Sequence, residues 1–261
     1  MESRKPLQIF AAVQKALFLR ELGMKTSIGK LGFFWLFFEP FAQVFFLIMM
    51  RVVILESQGR GSNFDYAIFM ASGFVAFNMF KAILSSSVGA FSANKGLLSY
   101  KQVKPIDTII GRILLQVFVT SIIVLLFTFI GYIFSYPIMP QNFLLVFLGY
   151  VWLLVFSFGI GLLVSVGNLF FTAIGKTVSV FSFGLLILSA VFYPLISLPV
   201  SAQKILVYNP LVHFMEMIHG AYIAELDHRF VDYPYMFMWT ITPLFVGLWL
   251  YHRLEKKIIS K

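Results

Sequence analysis

The chain contains no cysteine, and only 12% of its residues are charged. Without thiols it can build no disulfide framework, thiolate metal site or cysteine nucleophile. So few charges cannot cover a water-facing surface, because soluble domains carry about twice that share. No secretory leader is expected from the first thirty residues, which are basic and amphipathic and show no apolar core ahead of a small-residue cleavage site. What the chain has instead is apolar bulk. Hydrophobic residues make up 60% and aromatics 18%, with 32 phenylalanines, and the mean hydropathy is +0.90. The solvent for most of such a chain is lipid, which predicts an all-α integral membrane protein.

Apolar runs of roughly 20 residues predict six transmembrane helices. They cover Phe33–Leu55, Tyr66–Leu84, Thr108–Phe134, Phe143–Leu169, Val178–Leu198 and Tyr235–Tyr251. Turn-rich breaks separate them: Glu56–Asn63, Tyr100–Gly111, Ser135–Asn142 and Phe171–Thr177, with a longer mixed stretch over Pro199–Pro234. No internal repeat is visible, so 1–261 reads as one membrane domain. Basic residues set its expected orientation. Sixteen of the 20 lysines and arginines flank one side, leaving Arg51, Arg60, Lys204 and Arg229 on the other. That asymmetry predicts both termini in the cytoplasm, and it accounts for the net charge of +9 without invoking nucleic acid.

Two segments are expected to lie along the membrane. Leu7, Phe10, Val13 and Leu17 recur at helical spacing, with Gln14, Lys15 and Glu21 turned elsewhere, predicting an amphipathic interface helix within residues 1–32. Leu211, Met215, Ile218 and Tyr222 form a second stripe opposed by His213, Glu216 and His219. Together with "YPLISLP", it predicts short re-entrant outer helices over 199–234, between spans five and six.

Catalytic signals are weak. Gly175-Lys176-Thr177 lacks the glycine five residues earlier that a phosphate-binding loop needs, since Phe170 stands there. The four histidines lack helical metal-pair spacing, so no metal site and no enzymatic activity are expected of the chain. Ionisable or polar groups inside spans are costly and raise a functional question. Glu39, just before Pro40, either snorkels or pairs with a base that fixes the interface helix. Arg112, Lys81 and Asn78 either snorkel or line a substrate path. Ser157, Gly161 and Ser165 recur every fourth residue, a spacing that lets helices approach closely within one chain or between two.

Three stretches carry a resemblance. "ALFLRELGMKTSIGKLGFFWLFFEP" (16–40), "GAFSANKGLLSYKQVKPIDTIIGR" (89–112) and "YNPLVHFMEMIHGAY" (208–222) resemble the polysaccharide-export permeases of ABC transporters. Within these, the chain is most similar to inner-membrane permeases for group 2-type capsular polysaccharide of Gram-negative bacteria. The resemblance implies a type-2 ABC exporter permease that forms a homodimer and recruits two copies of a cytoplasmic ABC ATPase, which alone binds ATP and Mg. Its implied substrate is lipid-linked polysaccharide, with a periplasmic polysaccharide co-polymerase or export protein as a further partner. By position, Arg20, Glu21, Trp35, Glu39 and Pro40 match the motif of the interface helix and first span. Asn94, Lys95, Gly96, Leu97, Leu98, Tyr100, Lys104, Pro105 and Asp107 fall in the ATPase-coupling stretch, within a loop over 89–106. Asn209, Pro210, Glu216 and Ile218 fall in the exit gate. The loop after the fourth span reads Thr172-Ala173 where many relatives carry an Arg-Asp pair. Export of O-antigen or teichoic-acid polymer by the same fold, a membrane-bound glycan-lipid transferase, and a passive channel remain as alternatives.

The coupling stretch yields local expectations too. Pro105 suits the first turn of a helix, where its missing amide is no loss. Asp107 then meets the positive end of the helix dipole. Leu97 and Leu98 read as an exposed apolar pair suited to docking.

Overall fold

The computed structural model describes residues 6–27, 31–56, 65–98, 100–134, 138–226 and 228–260, and the described residues contain helices and turns but no strand. Residues 57–63 of the first expected break, with Arg60, lie outside the described residues, as do 135–137 of the third.

Among the described residues ten α-helices follow in order: α1 Pro6–Thr26, α2 Gly32–Glu56, α3 Tyr66–Val88, α4 Ala90–Ala93, α5 Pro105–Ile133, α6 Phe143–Phe170, α7 Ala173–Leu188, α8 Val200–Leu206, α9 Pro210–Tyr222 and α10 Tyr233–Ser260. Short 3-10 turns occupy Lys95–Leu97 and Leu195–Ser197. Among the described residues three helices, α3, α5 and α6, are long and apolar enough to cross a membrane, and Gly32–Leu47 and Ala173–Leu188 are shorter apolar helices. The protein is a multi-pass, all-helical membrane protein.

Polar caps fix where the helices start. Asp65 accepts from the Ala67 and Ile68 amides at 3.0 and 3.2 Å to open α3, and Asn142 accepts from Leu145 at 3.0 Å to open α6. At α5, Pro105 and Asp107 take the first turn, as expected from the sequence, and Asp107 also reaches back to accept the Lys104 amide at 2.8 Å.

α3 runs through the centre, packed by α2, α5, α6, α7 and α9. Phe77, Ile83 and Ala76 on it are fully buried. The small-residue spacing of α6 serves packing within the chain. Ser165 Oγ donates to the Ser87 carbonyl of α3 at 2.6 Å, and Gly161 faces the same serine. A second close approach was not expected: a Cβ at Gly159 would stand 2.8 Å from the Leu244 amide nitrogen of α10. Only glycine lets these two backbones meet.

Three expectations need correction. The fifth apolar helix is Ala173–Leu188 rather than Val178–Leu198, and only Phe171–Thr172 separate it from α6. It stops because Ala190 takes φ 56°, the left-handed conformation that terminates helices, and Pro194 follows. The polar residues Gln14 and Glu21 of α1 are not turned to solvent but are buried against α5 together with Leu17 of the apolar stripe, whereas Leu7 and Phe10 of that stripe are exposed. Finally, α9 has no outward polar face: His213, Glu216 and His219 are buried with Leu211, Met215 and Ile218, among α3, α6 and α10. A helix hydrophobic on one side can be buried all round when its polar groups find partners inside, and those of His213 and Glu216 do.

Candidate functional site

The end of the bundle that carries α1 brings together most of the residues singled out from sequence. α1 lies across the start of α5 and is fastened by three polar contacts, one from Gln14 and two from the adjacent Arg20 and Glu21 about two turns further on. Gln14 Nε2 donates to Asp107 Oδ1 at 3.2 Å. Arg20 donates to Asn94 Oδ1 and, at 3.2 Å, to the Ala93 carbonyl. Arg112 Nε donates to Glu21 Oε1 at 2.9 Å, with both side chains about nine-tenths buried. The Arg112 guanidinium also donates to the Ser86 carbonyl at the end of α3. Gln14 and Glu21, seven residues apart, fall on one face of α1, which explains why that face is polar, while Arg20 lies about 120° round the helix and reaches the Ala93–Asn94 segment.

Asp107 has two tasks. One oxygen holds the Lys104 amide and caps α5, and the other holds Gln14. The coupling segment is thus rigid at both ends. Asn94 donates to Ala90 O at 2.8 Å while receiving Arg20, so α4, the 3-10 turn and α1 form one unit. Asn168 at the end of α6 donates to Val88 O at 2.9 Å and accepts from the Gly175 amide at 3.2 Å, tying α3, α6 and α7 together next to it.

Beside this unit a groove of about 870 Å³ runs between α1 and the coupling segment. Ile9, Val13, Leu17 and Arg20 line one wall and Leu97, Tyr100 and Val103 the other. Tyr100 is 64% exposed, whereas Leu98 is buried. The expected exposed pair of leucines is therefore replaced by Leu97 and Tyr100, because the 3-10 turn at Lys95–Leu97 rotates Leu98 inward. Gly96 lies in that turn, and Lys95 opens it.

A second cleft, of about 570 Å³, opens between the end of α1 and helices α2, α3 and α5. It gathers Trp35, Glu39 and Pro40 from α2 with Asn78 and Lys81 from α3. Glu39 makes no ion pair among the described residues, so the anchoring role expected of it belongs to Glu21. Arg112 does not line this cleft, since its guanidinium is engaged by Glu21 and Ser86. Lys25 at the rim is crowded, and burial, reinforced by Arg112, lowers its pKa against the opposing pull of Glu21 and Glu39.

At the other end, Asn209 caps α9 by accepting the Leu211 amide at 3.1 Å, with Pro210 in the first turn. Asn209 Nδ2 also donates to the Leu188 carbonyl at 3.0 Å, joining α9 to the end of α7. Glu216 Oε1 accepts the Leu195 amide at 3.0 Å and pins the 3-10 turn after α7. Burial pushes the Glu216 carboxyl up to about 7, opposed by that amide and by Arg229. His213 accepts the Asp232 amide at Nδ1 and meets the Val207 carbonyl with Nε2 at 2.8 Å, which fixes a neutral tautomer protonated at Nε2. His219 stacks on Phe69 at 3.8 Å directly over Gly73. Ile218 is fully buried.

No group of histidine, aspartate and glutamate among the described residues could hold a metal ion. Gln14, Asn168, Gln43 and Gln116 were not anticipated as site residues. Uncharged polar residues inside apolar runs were the only signal available for them.

Comparison with known proteins places the molecule. The ABC-2 type transporter family model matches residues 14–223. The chain is 31% identical to the polysialic acid transport protein KpsM of Escherichia coli over 258 residues, 99% of each chain. It is 28% identical to the capsule polysaccharide export inner-membrane protein BexB of Haemophilus influenzae, over 98% of this chain and 96% of that one. It is 26% identical to the corresponding protein CtrC of Neisseria meningitidis, over 93% and 91%. The chain therefore belongs to the ABC-2 type transporter family, whose permeases are the membrane components of ABC transporters, nucleotide binding being the task of a separate ATPase.

Proposed function

We propose that this chain is the permease subunit of an ATP-driven exporter that moves lipid-linked capsular polysaccharide across the inner membrane. The names of the three relatives, each matched over nearly its full length, support that cargo. In this reading α2, α3, α5, α6, α7 and α10 are the six spans, α1 lies on the cytoplasmic interface, and α8 and α9 dip in from the periplasm. The positive-inside bias supports both termini being cytoplasmic. Two copies pair to enclose the path, and two ABC ATPase subunits, which carry the ATP and Mg, dock beneath them.

The observation that carries the reading is the fastening of α1 to the coupling segment by Gln14–Asp107, Arg20–Asn94 and Glu21–Arg112. A loop that only linked two spans would need no such rigidity. An ATPase seated in the groove beside Tyr100 would push on a unit continuous with the first turn of α5 and, through Ser86, with the end of α3. Movement of the ATPase pair then tilts spans rather than bending loops. At the far end, Glu216 and Asn209 tie α9 to the end of α7, so the gate shifts with that helix.

The test is deletion of the chain in its host, with surface-polymer staining and pull-down of the ATPase by the tagged chain. The reading expects polymer to be retained inside the cell and the ATPase to co-purify in equal amount. Normal surface polymer in the deletion strain overturns it.

A further inference from the structure

The α2/α3/α5 cleft holds a pair of charges that its surroundings do not explain. Lys81 lies seven residues back from the end of α3, and Glu39 seven residues into α2. At 1.5 Å per residue, both sit about 10 Å in from the α1 end of their helices. Both are exposed to the cleft, and neither takes part in an ion pair among the described residues. A lone ammonium or carboxylate at that depth is costly in hydrocarbon and marks a wet, functional surface. Snorkelling does not account for the pair, because the two charges face a shared cavity rather than diverging to the headgroups.

The remaining lining narrows the chemistry. Lys25 adds a second cation at the rim. Trp35, 53% exposed, offers an aromatic face, the surface on which the apolar side of a sugar ring stacks. Asn78, Gln43 and Gln116 supply amide donors and acceptors, and Glu39 accepts hydroxyl protons. Two ammonium groups beside one carboxylate favour an anion. A neutral lipid tail would meet none of these groups, and a metal ion would be repelled by the lysines.

We infer that this cleft binds an acidic, hydroxylated headgroup, with its anionic group on Lys81 and Lys25 and its ring on Trp35. The anion is supplied either by an acidic sugar or by the phosphate of a lipid headgroup. The inference deepens the proposed function, on which it rests for the nature of the cargo.

The test uses the full chain with its ATPase in nanodiscs and reads tryptophan fluorescence, with Trp35→Phe identifying the responsive residue among the four tryptophans. One arm titrates a glucuronate-terminated tetrasaccharide, with its glucose-terminated counterpart as control, in phosphatidylcholine discs. The other arm exchanges phosphatidylcholine for phosphatidylglycerol. Saturable response to the acidic sugar assigns the anion to the glycan, and response only to phosphatidylglycerol assigns it to the lipid. Lys81→Gln weakens the response at least about tenfold and Lys81→Arg retains it, as loss of one charge-assisted hydrogen bond requires. Lys25→Gln, in the last turn of α1, carries the same expectation should Lys81→Gln fail to fold. Equal response to the neutral tetrasaccharide, response in neither arm, or unweakened binding by both glutamine variants overturns the inference. A chain that responds yet fails to retain the ATPase overturns the exporter reading and leaves the cleft assignment standing.

Discussion

Replacing Arg112 by glutamine removes the guanidinium that joins α1 to the bundle. Arg112 Nε reaches Glu21 at 2.9 Å, both side chains are only about a tenth exposed, and a second donor serves the Ser86 carbonyl. The change strands a carboxylate and a carbonyl. Breaking a buried ion pair from one side costs about 3–5 kcal/mol. The remaining tenth of exposure lets water reach Glu21, so the lower end, about 3 kcal/mol, is expected. Replacing both partners, as Glu21→Gln with Arg112→Gln, leaves no unpaired charge and costs about 1–2 kcal/mol, roughly that of an ordinary pair of hydrogen bonds. Glu21→Gln alone leaves the Arg112 guanidinium buried without its partner at a similar cost, so the coupling, the two single costs less that of the double variant, is about 4–5 kcal/mol. Thermal unfolding of the four proteins in one detergent, at a fixed scan rate, reads it out. For a chain of this size Arg112→Gln should lower the midpoint by about 6–12 °C, and the double variant should recover about half. Strict additivity of the two single changes would show that the pair does not hold α1 in place.

Other outcomes follow from particular contacts. Gly73→Ala places a Cβ 2.4 Å from His219 Nε2, so overpacking of about 1–3 kcal/mol is expected, largely relieved when His219→Ala is added. Ala190→Gly removes the left-handed strain at φ 56° and should raise stability by about 1 kcal/mol. The raised pKa of Glu216, about 7, means that the folded chain holds its proton more tightly than the unfolded one. Its contribution is complete below the unfolded value near 4.5 and lost as pH climbs through about 7. Glu216→Gln should flatten the stability profile between those limits, and an unchanged slope in pH-dependent unfolding would contradict the assignment.

How far the sequence reaches is clear from the elements themselves. α2, α3, α5 and α6 start within about three residues of their expected positions, because apolar runs in lipid must be helical. Pro105 and Asp107 opened α5 as their chemistry dictates. The end of α7 was missed because it rests on an alanine, not a glycine, in the left-handed region. α9 was misjudged because His213, Glu216 and His219 read as a solvated face, while their partners, Val207, Asp232, Leu195 and Phe69, lie up to 150 residues away in the chain. Gln14 and Asp107, 93 residues apart, carry no local sign that they meet. The leucine pair failed on a single 3-10 turn, which exchanged Leu98 for Tyr100 at the surface.

The central claim is that α1 and the coupling segment form one platform on which the ATPase sits. Because the chain has no cysteine, one introduced thiol is free of background. Tyr100→Cys, in the groove wall, and Tyr208→Cys, 78% exposed at the opposite end, are each placed in the tagged chain and treated with a short thiol-to-amine cross-linker in membranes containing the ATPase. The account predicts a permease–ATPase adduct from position 100 and none from position 208. An adduct from position 208, or none from position 100 in membranes where the ATPase still co-purifies, would contradict it.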